Sequence, residues 1–135
     1  MRTFLIAPVR GKPGEAFAAV VKELERGGFD VYWPARDTDQ SDNVGFQICS
    51  QNAAAIAAAD VVHVIWDGKS QGCLFDLGIA FALKKPIIAL DLPPRTAERS
   101  FQNMILIWER NALSRSTLDE TTMTSSETAF PKDNG

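Results

Sequence analysis

Val61-Val62-His63-Val64-Ile65-Trp66 runs directly into Asp67-Gly-Lys-Ser-Gln-Gly-Cys-Leu-Phe-Asp76-Leu-Gly-Ile-Ala-Phe-Ala-Leu-Lys-Lys-Pro86. The first six residues are apolar apart from His63 and read as a buried strand. A polar loop follows with a small hydroxyl, Ser70, and a glycine, Gly72, at the start of a helical stretch that carries Asp76 in its first turn. A helix N-terminus presents unpaired N–H groups and partial positive charge, so strand, loop and helix together suit an anion such as a phosphate. A carboxylate at the mouth of such a site can act on whatever the loop holds. The stretch therefore points to a small-molecule site on an α/β scaffold.

Reading outward, the same alternation recurs. Thr3–Ala7 is a short apolar run closed by Pro8, and Pro13 stands near the start of a helix. Phe17, Val20, Val21 and Leu24 recur at helical spacing until Gly27-Gly28. Phe29–Trp33 reads as a second strand, Arg36–Gly45 as a polar loop or lid, and Val44–Ala59 as an alanine-rich helix. Val61–Trp66 and Pro86–Leu90 are the third and fourth strands, separated by a helix over Gly72–Lys84. Met104–Trp108 reads as a fifth strand, followed by a short helix over Asn111–Leu118. Strands that are continuous apolar runs, alternating with helices, predict a doubly wound, flavodoxin- or Rossmann-like five-stranded parallel sheet with helices on both faces. Ligands of such sheets bind at the carboxyl ends of the strands, where Pro8–Lys12, Trp33–Asp39 and Asp67–Asp76 all emerge.

The 135 residues predict one domain over 1–118, with the Thr- and Ser-rich tail from 119 to 135 expected to be disordered. A net charge of −3 with scattered Lys and Arg argues against a nucleic-acid polymer as partner. No apolar run approaches the roughly 18 residues of a membrane span, and no signal-peptide pattern opens the chain, so a cytoplasmic protein is expected. Cys49 and Cys73 are too few for a disulfide framework or metal cluster, and neither a cofactor nor a metal is expected. Cys73 lies beside the helix N-terminus, a position that lowers thiol pKa, so a reactive thiol is one reading and a buried one the other. His63, inside a strand, reads as a packed or hydrogen-bonded residue.

Ser70-x-Gly72-x-x-Phe75-Asp76-Leu77-Gly78-x-Ala80, with Lys85-Pro86 and Ile87–Leu90 behind it, resembles the signature of the nucleoside 2-deoxyribosyltransferase-like superfamily, in the form seen in 2'-deoxynucleoside 5'-phosphate N-hydrolases. Ala7-Pro8-Val9-Arg10-Gly11 is similar to that family's substrate loop, and Ile56-x-x-Ala59-Asp60-Val61-Val62 to its approach to the third strand. The similarity spans residues 2–108. Two positions depart from the family pattern: Asp76 replaces the nucleophilic glutamate, and Asn52 replaces an aspartate. The strand end Trp66-Asp67-Gly68 is more like the deoxyribosyltransferases.

The resemblance implies a nucleoside or nucleoside 5'-monophosphate as partner, with cleavage or transfer at the N-glycosidic bond. Asp76 is then the carboxylate nucleophile, and Asp67 orients a sugar hydroxyl. Pro8, Arg10, Gly11, Lys12, Ser70 and Gly72 surround the phosphate end, Trp33 stacks on a base, and Asn52 stands at the family's aspartate position. Asn103 falls where, in the deoxyribosyltransferase branch, a neighbouring subunit's asparagine enters the site, so a homodimer or higher homo-oligomer is implied. Plainer readings stand beside these: Asp76 as a helix N-terminal acid favoured by the macrodipole, Ser70 as an N-cap, Asp67 as a turn residue and Trp33 as core. The shorter Asp76 and the amide at Asn52 also suit a catalytically inactive nucleotide-binding module or sensor.

Overall fold

The computed structural model describes residues 1–9 and 14–121. Four strands, β1 (Arg2–Ile6), β2 (Asp30–Tyr32), β3 (Val61–Ile65) and β4 (Ile87–Asp91), form one parallel sheet in the order β2-β1-β3-β4. The connections are α1 (Gly14–Arg26), then α2 (Pro34–Asp37) and α3 (Phe46–Ala58), then α4 (Gln71–Ala82); α5 (Phe101–Thr121) follows β4. The order reverses at β1 and β3, the two central strands, and so the crevice of this fold opens at their carboxyl ends.

Each face of the sheet has its own core. Leu5, Val31 and Ile65 pack under α1 through Val21, with Phe17, Val20 and Leu24 around them. Phe4, Ile6, Val62, Val64 and Ile87 pack on the other side against Ile56 of α3, Cys73, Leu77 and Ala80 of α4, and Ile105 of α5. Alternate residues of β1 and β3 thus serve opposite faces, the reason these strands read as unbroken apolar runs. His63 lies in the α1-side layer, where its Nδ1 is 2.6 Å from Thr3 Oγ1 and its ring meets Phe29 edge-on; burial lowers its pKa.

The fifth strand expected over Met104–Trp108 is instead part of α5. Ser100 starts the helix: its carbonyl accepts from Met104 N–H and its hydroxyl from Asn103 N–H. Ile105 is fully buried and Trp108 half-buried while Met104 and Ile107 are exposed, a helical distribution that a five-residue apolar run conceals. The helix also serves the edge a fifth strand would have paired. Glu109 accepts the backbone N–H of Ala89 at 2.9 Å, and Trp108 Nε1–H donates to the carbonyl of Lys85. The short helix expected over Asn111–Leu118 is the continuation of α5, and the rest of the tail, from residue 122, lies outside the described residues.

Candidate functional site

The turn from β3 into α4 is fixed several times over. Asp67 Oδ1 accepts from the N–H groups of Lys69 and Ser70 at 2.9 and 2.8 Å. Trp66 Nε1–H donates to the Ser70 carbonyl, and Ser70 Oγ caps α4 by accepting Cys73 N–H at 3.3 Å. Gly68 has φ +82°, a conformation that favours glycine, and a Cβ there would crowd Pro93 Cγ at 3.0 Å. The result presents the first turn of α4, with Gln71 and Gly72, to a cavity of about 560 Å³. With the Cys73 N–H taken by the cap, the first-turn N–H groups of Gln71 and Gly72 have no intrahelical partner and remain available to an anion.

The cavity sits at the carboxyl ends of β1 and β3. Ala7, Pro8 and Val9 form one side, Ile48, Cys49 and Asn52 of α3 another, and Asp67, Lys69 to Cys73, Phe75 and Asp76 the third. Asp76 belongs to the buried stripe of α4, Cys73, Asp76, Leu77 and Ala80, whose spacing faces the sheet and α3. At the cavity end of this stripe the chain places a carboxylate where the pattern calls for an apolar residue. Asp76 is only 9% exposed, and burial pushes its pKa up to about 7, a rise moderated by Asn52. Asn52 Nδ2–H donates to Asp76 Oδ2 across 3.5 Å, a long and weak bond.

Asp76 lies in the second turn of α4, not the first as expected, and the first turn holds no acid. The macrodipole falls off within one turn, so the reading of Asp76 as a dipole-stabilised acid fails. Of the two readings of Cys73, the buried thiol holds and the reactive one does not. Cys73 is buried, with Sγ 3.9 Å from the Ile65 carbonyl, and its pKa is pushed up to about 11 because desolvation exceeds any helix-terminal effect. Asp67, by contrast, is exposed, and the two N–H donors hold it below the usual carboxylate range.

Asp76, Asp67, Pro8, Asn52, Ser70 and Gly72 are thus brought to one cavity. Arg10, Gly11 and Lys12 lie outside the described residues. Trp33 is not on the cavity wall; it is half-buried beside the α1-side core, and its backbone N–H donates to Asp37 Oδ2. Asn103 is in the first turn of α5, where Oδ1 accepts Thr96 N–H and Nδ2 donates to the carbonyls of Thr96 and Glu98. Its amide closes the loop between β4 and α5.

Sequence reasoning missed Thr38 and Tyr32, which stand behind Asn52, as well as Cys49, Gln40 and Phe75 on the wall. Phe75 was visible in the motif next to Asp76; Thr38 carried no signal, lying in a segment read as a polar loop. Among the described residues no three His, Cys, Asp or Glu side chains gather as a metal site.

Two solved structures share this architecture. The CMP N-glycosidase BcmB of Clostridium botulinum aligns with a TM-score of 0.58 over 81% of this chain and 84% of that one, at 19% identity. A 2-deoxyribosyltransferase from the psychrotolerant bacterium Bacillus psychrosaccharolyticus aligns with a TM-score of 0.57 over 73% of this chain and 77% of its own, at 15% identity. At such identities the likeness establishes the fold. Comparison with curated proteins gives no significant match. The sequence profile of the nucleoside 2-deoxyribosyltransferase family matches residues 6–124, most of the chain, and the protein belongs to that family.

Proposed function

We propose that the cavity binds a nucleoside or nucleoside 5'-monophosphate and that Asp76 opens its N-glycosidic bond as a carboxylate nucleophile. The observation that carries this reading is a buried carboxylate on the cavity wall whose one donor among the described residues is distant, so that burial pushes its pKa up to about 7. A desolvated, poorly satisfied anion gains most from the positive charge that develops on a sugar ring as the base departs. The Asp76 oxygen attacks the anomeric carbon, the C–N bond breaks, and its electron pair leaves with the base. Water then hydrolyses the glycosyl ester, or a second base takes the sugar, which separates hydrolase from transferase. Both activities occur among the family and structural neighbours by name.

The phosphate end lies at Ser70–Gly72, where the helix N-terminus meets Lys69, with Arg10 and Lys12 as further donors from the substrate loop. Asp67 reaches a sugar hydroxyl, and Val9, Ile48 and Phe75 provide apolar wall for the base. A homo-oligomer remains part of this reading on the family resemblance. The second reading, a nucleotide-binding module without catalysis, is favoured by two substitutions: Asp76 is a methylene shorter than the family's glutamate, and Asn52 stands where the family has an aspartate. Titration with nucleoside monophosphates and their nucleosides, followed by chromatography for free base, tests both. Base release supports the first reading, binding without release the second, and no binding by either ligand class defeats both. Equal affinity with and without the phosphate removes the phosphate subsite.

A further inference from the structure

Behind Asp76 runs a chain of buried polar groups that the nucleophile itself does not need for packing. Thr38 is 5% and Asn52 7% exposed. Tyr32 OH lies 2.6 Å from Thr38 Oγ1, and Thr38 Oγ1 lies 2.7 Å from Asn52 Oδ1. The direction of this chain follows from counting protons. With the Asn52 oxygen toward Thr38, the single Thr38 proton goes to Asn52 Oδ1, and Tyr32 O–H donates to the Thr38 oxygen. The Asn52 oxygen is thereby engaged away from the cavity, and the Asn52 nitrogen faces Asp76. With the amide turned over, two oxygens would confront each other across the same gap, an arrangement tolerable only when Asp76 holds a proton.

We infer that Thr38, backed by Tyr32, is a positioning residue: it holds the Asn52 amide so that a donor faces Asp76 and offsets part of the cost of ionising that buried carboxyl. The inference deepens the reading of Asp76 as nucleophile and rests on it for its catalytic consequence. It also gives the amide at position 52 a physical role, because a second carboxylate there would raise the cost of ionising Asp76. The other titratable groups sharing the cavity among the described residues are Cys49 on α3, Cys73 on α4, and Asp67 and Lys69 in the turn. Cys73 is pushed up to about 11 and Asp67 held below the usual carboxylate range, so neither changes charge near neutral pH.

The test is a carboxyl-carbon NMR titration of Asp76, assigned with Asp76→Asn, in the wild type, Thr38→Val and Thr38→Ser. Loss of one oriented neutral donor corresponds to about half to one pH unit. Thr38→Val should raise the Asp76 midpoint by that amount, and Thr38→Ser, which keeps the hydroxyl, should restore it. A folded Thr38→Val with an unmoved midpoint overturns the proposal, as does a Thr38→Ser midpoint shifted as far as that of Thr38→Val. Should Thr38→Val not fold, the wild type still decides: the Asn52 side-chain amide protons must titrate with the Asp76 midpoint, and amide protons indifferent to it overturn the proposal. None of these readings needs turnover. Where base release from nucleoside monophosphates is found, its low-pH limb should move with the same midpoint; where none is found, the nucleophile reading falls and the titration still decides the role of Thr38.

Discussion

Asp67 and Asp76 border one cavity from the two ends of a single turn, and their surroundings drive them in opposite directions. Asp67 sits in the β3–α4 turn, open to water, with two backbone N–H groups on one oxygen, and its pKa is lowered. Asp76 sits on the buried stripe of α4, with one long contact to Asn52, and its pKa rises to about 7. The turn thus holds a satisfied anion, and the helix holds an unsatisfied one. Under the proposed function the two acids have divided roles: the satisfied one shapes and orients, and the strained one attacks the sugar.

The sharpest way to break that division is to remove each acid in turn. If Asp76 is the nucleophile, Asp76→Ala lowers base release from nucleoside monophosphates by roughly 10³-fold or more. Asp76→Glu changes the rate by about 10²-fold, upward if the aspartate stops short of the anomeric carbon and downward if the cavity has closed around it. Chromatographic assay of free base decides, and undiminished release in Asp76→Ala moves the nucleophile elsewhere. The acidity of Asp76 gives a second measure. Only the carboxylate attacks, so release should rise with pH and level off above about 7, falling about tenfold per unit well below it. A rate already flat from pH 5 upward would mean that the reacting group is not the buried acid.

The comparison also has a stability side, with the sign set by the pKa shift. A carboxyl whose folded-state value is raised from 3.8 to about 7 binds its proton more tightly when folded. Its contribution is fully present below the unfolded value, is lost as pH climbs through about 7, and stays lost above. The full shift corresponds to at most about 4 kcal/mol. Asp76→Asn should therefore be more stable than the wild type at pH 8, with the difference shrinking toward pH 4, measured as denaturant midpoints at both values. A variant no more stable at pH 8 would show that Asp76 is better solvated than its burial indicates.

How much of this was legible in the sequence follows from which interactions are local. The strand, loop and helix of Val61–Ala82 announce themselves because periodicity, Gly68, Ser70 and Asp76 lie in one stretch, and the parallel sheet follows from unbroken apolar strands. Met104–Trp108 misled because five apolar residues in a row fit a buried strand or a helix that buries only Ile105 and Trp108. The Asn52–Asp76 contact and the hydroxyls behind it join β2, the segment after α2, α3 and α4, and no spacing along the chain encodes such a meeting. For Cys73 the sequence left a reactive and a buried thiol open, and the burial that decides between them is a tertiary fact.

The smallest expected effect is at Asp67, and it is the finest test of the contrast. Its two hydrogen bonds are to backbone, so they order the turn that presents Ser70 and Gly72. Asp67→Asn keeps an acceptor oxygen in place and should change stability little. Asp67→Ala removes it and should cost about 0.5–1 kcal/mol, less than a buried bond because water reaches the freed N–H groups. The pH dependence runs opposite to that of Asp76. A lowered folded-state pKa stabilises above the unfolded value and is lost as pH falls through the folded one, so the difference between wild type and Asp67→Asn should narrow in acid. In binding, Asp67→Ala should weaken a nucleoside monophosphate through the loosened turn, and Asp67→Asn should do so only if the charge itself holds a sugar hydroxyl. Calorimetric titration of the two variants separates those roles: weaker binding in Asp67→Ala alone makes Asp67 a turn residue, weaker binding in both gives its charge a sugar hydroxyl, and two variants that match the wild type leave Asp67 irrelevant to the site.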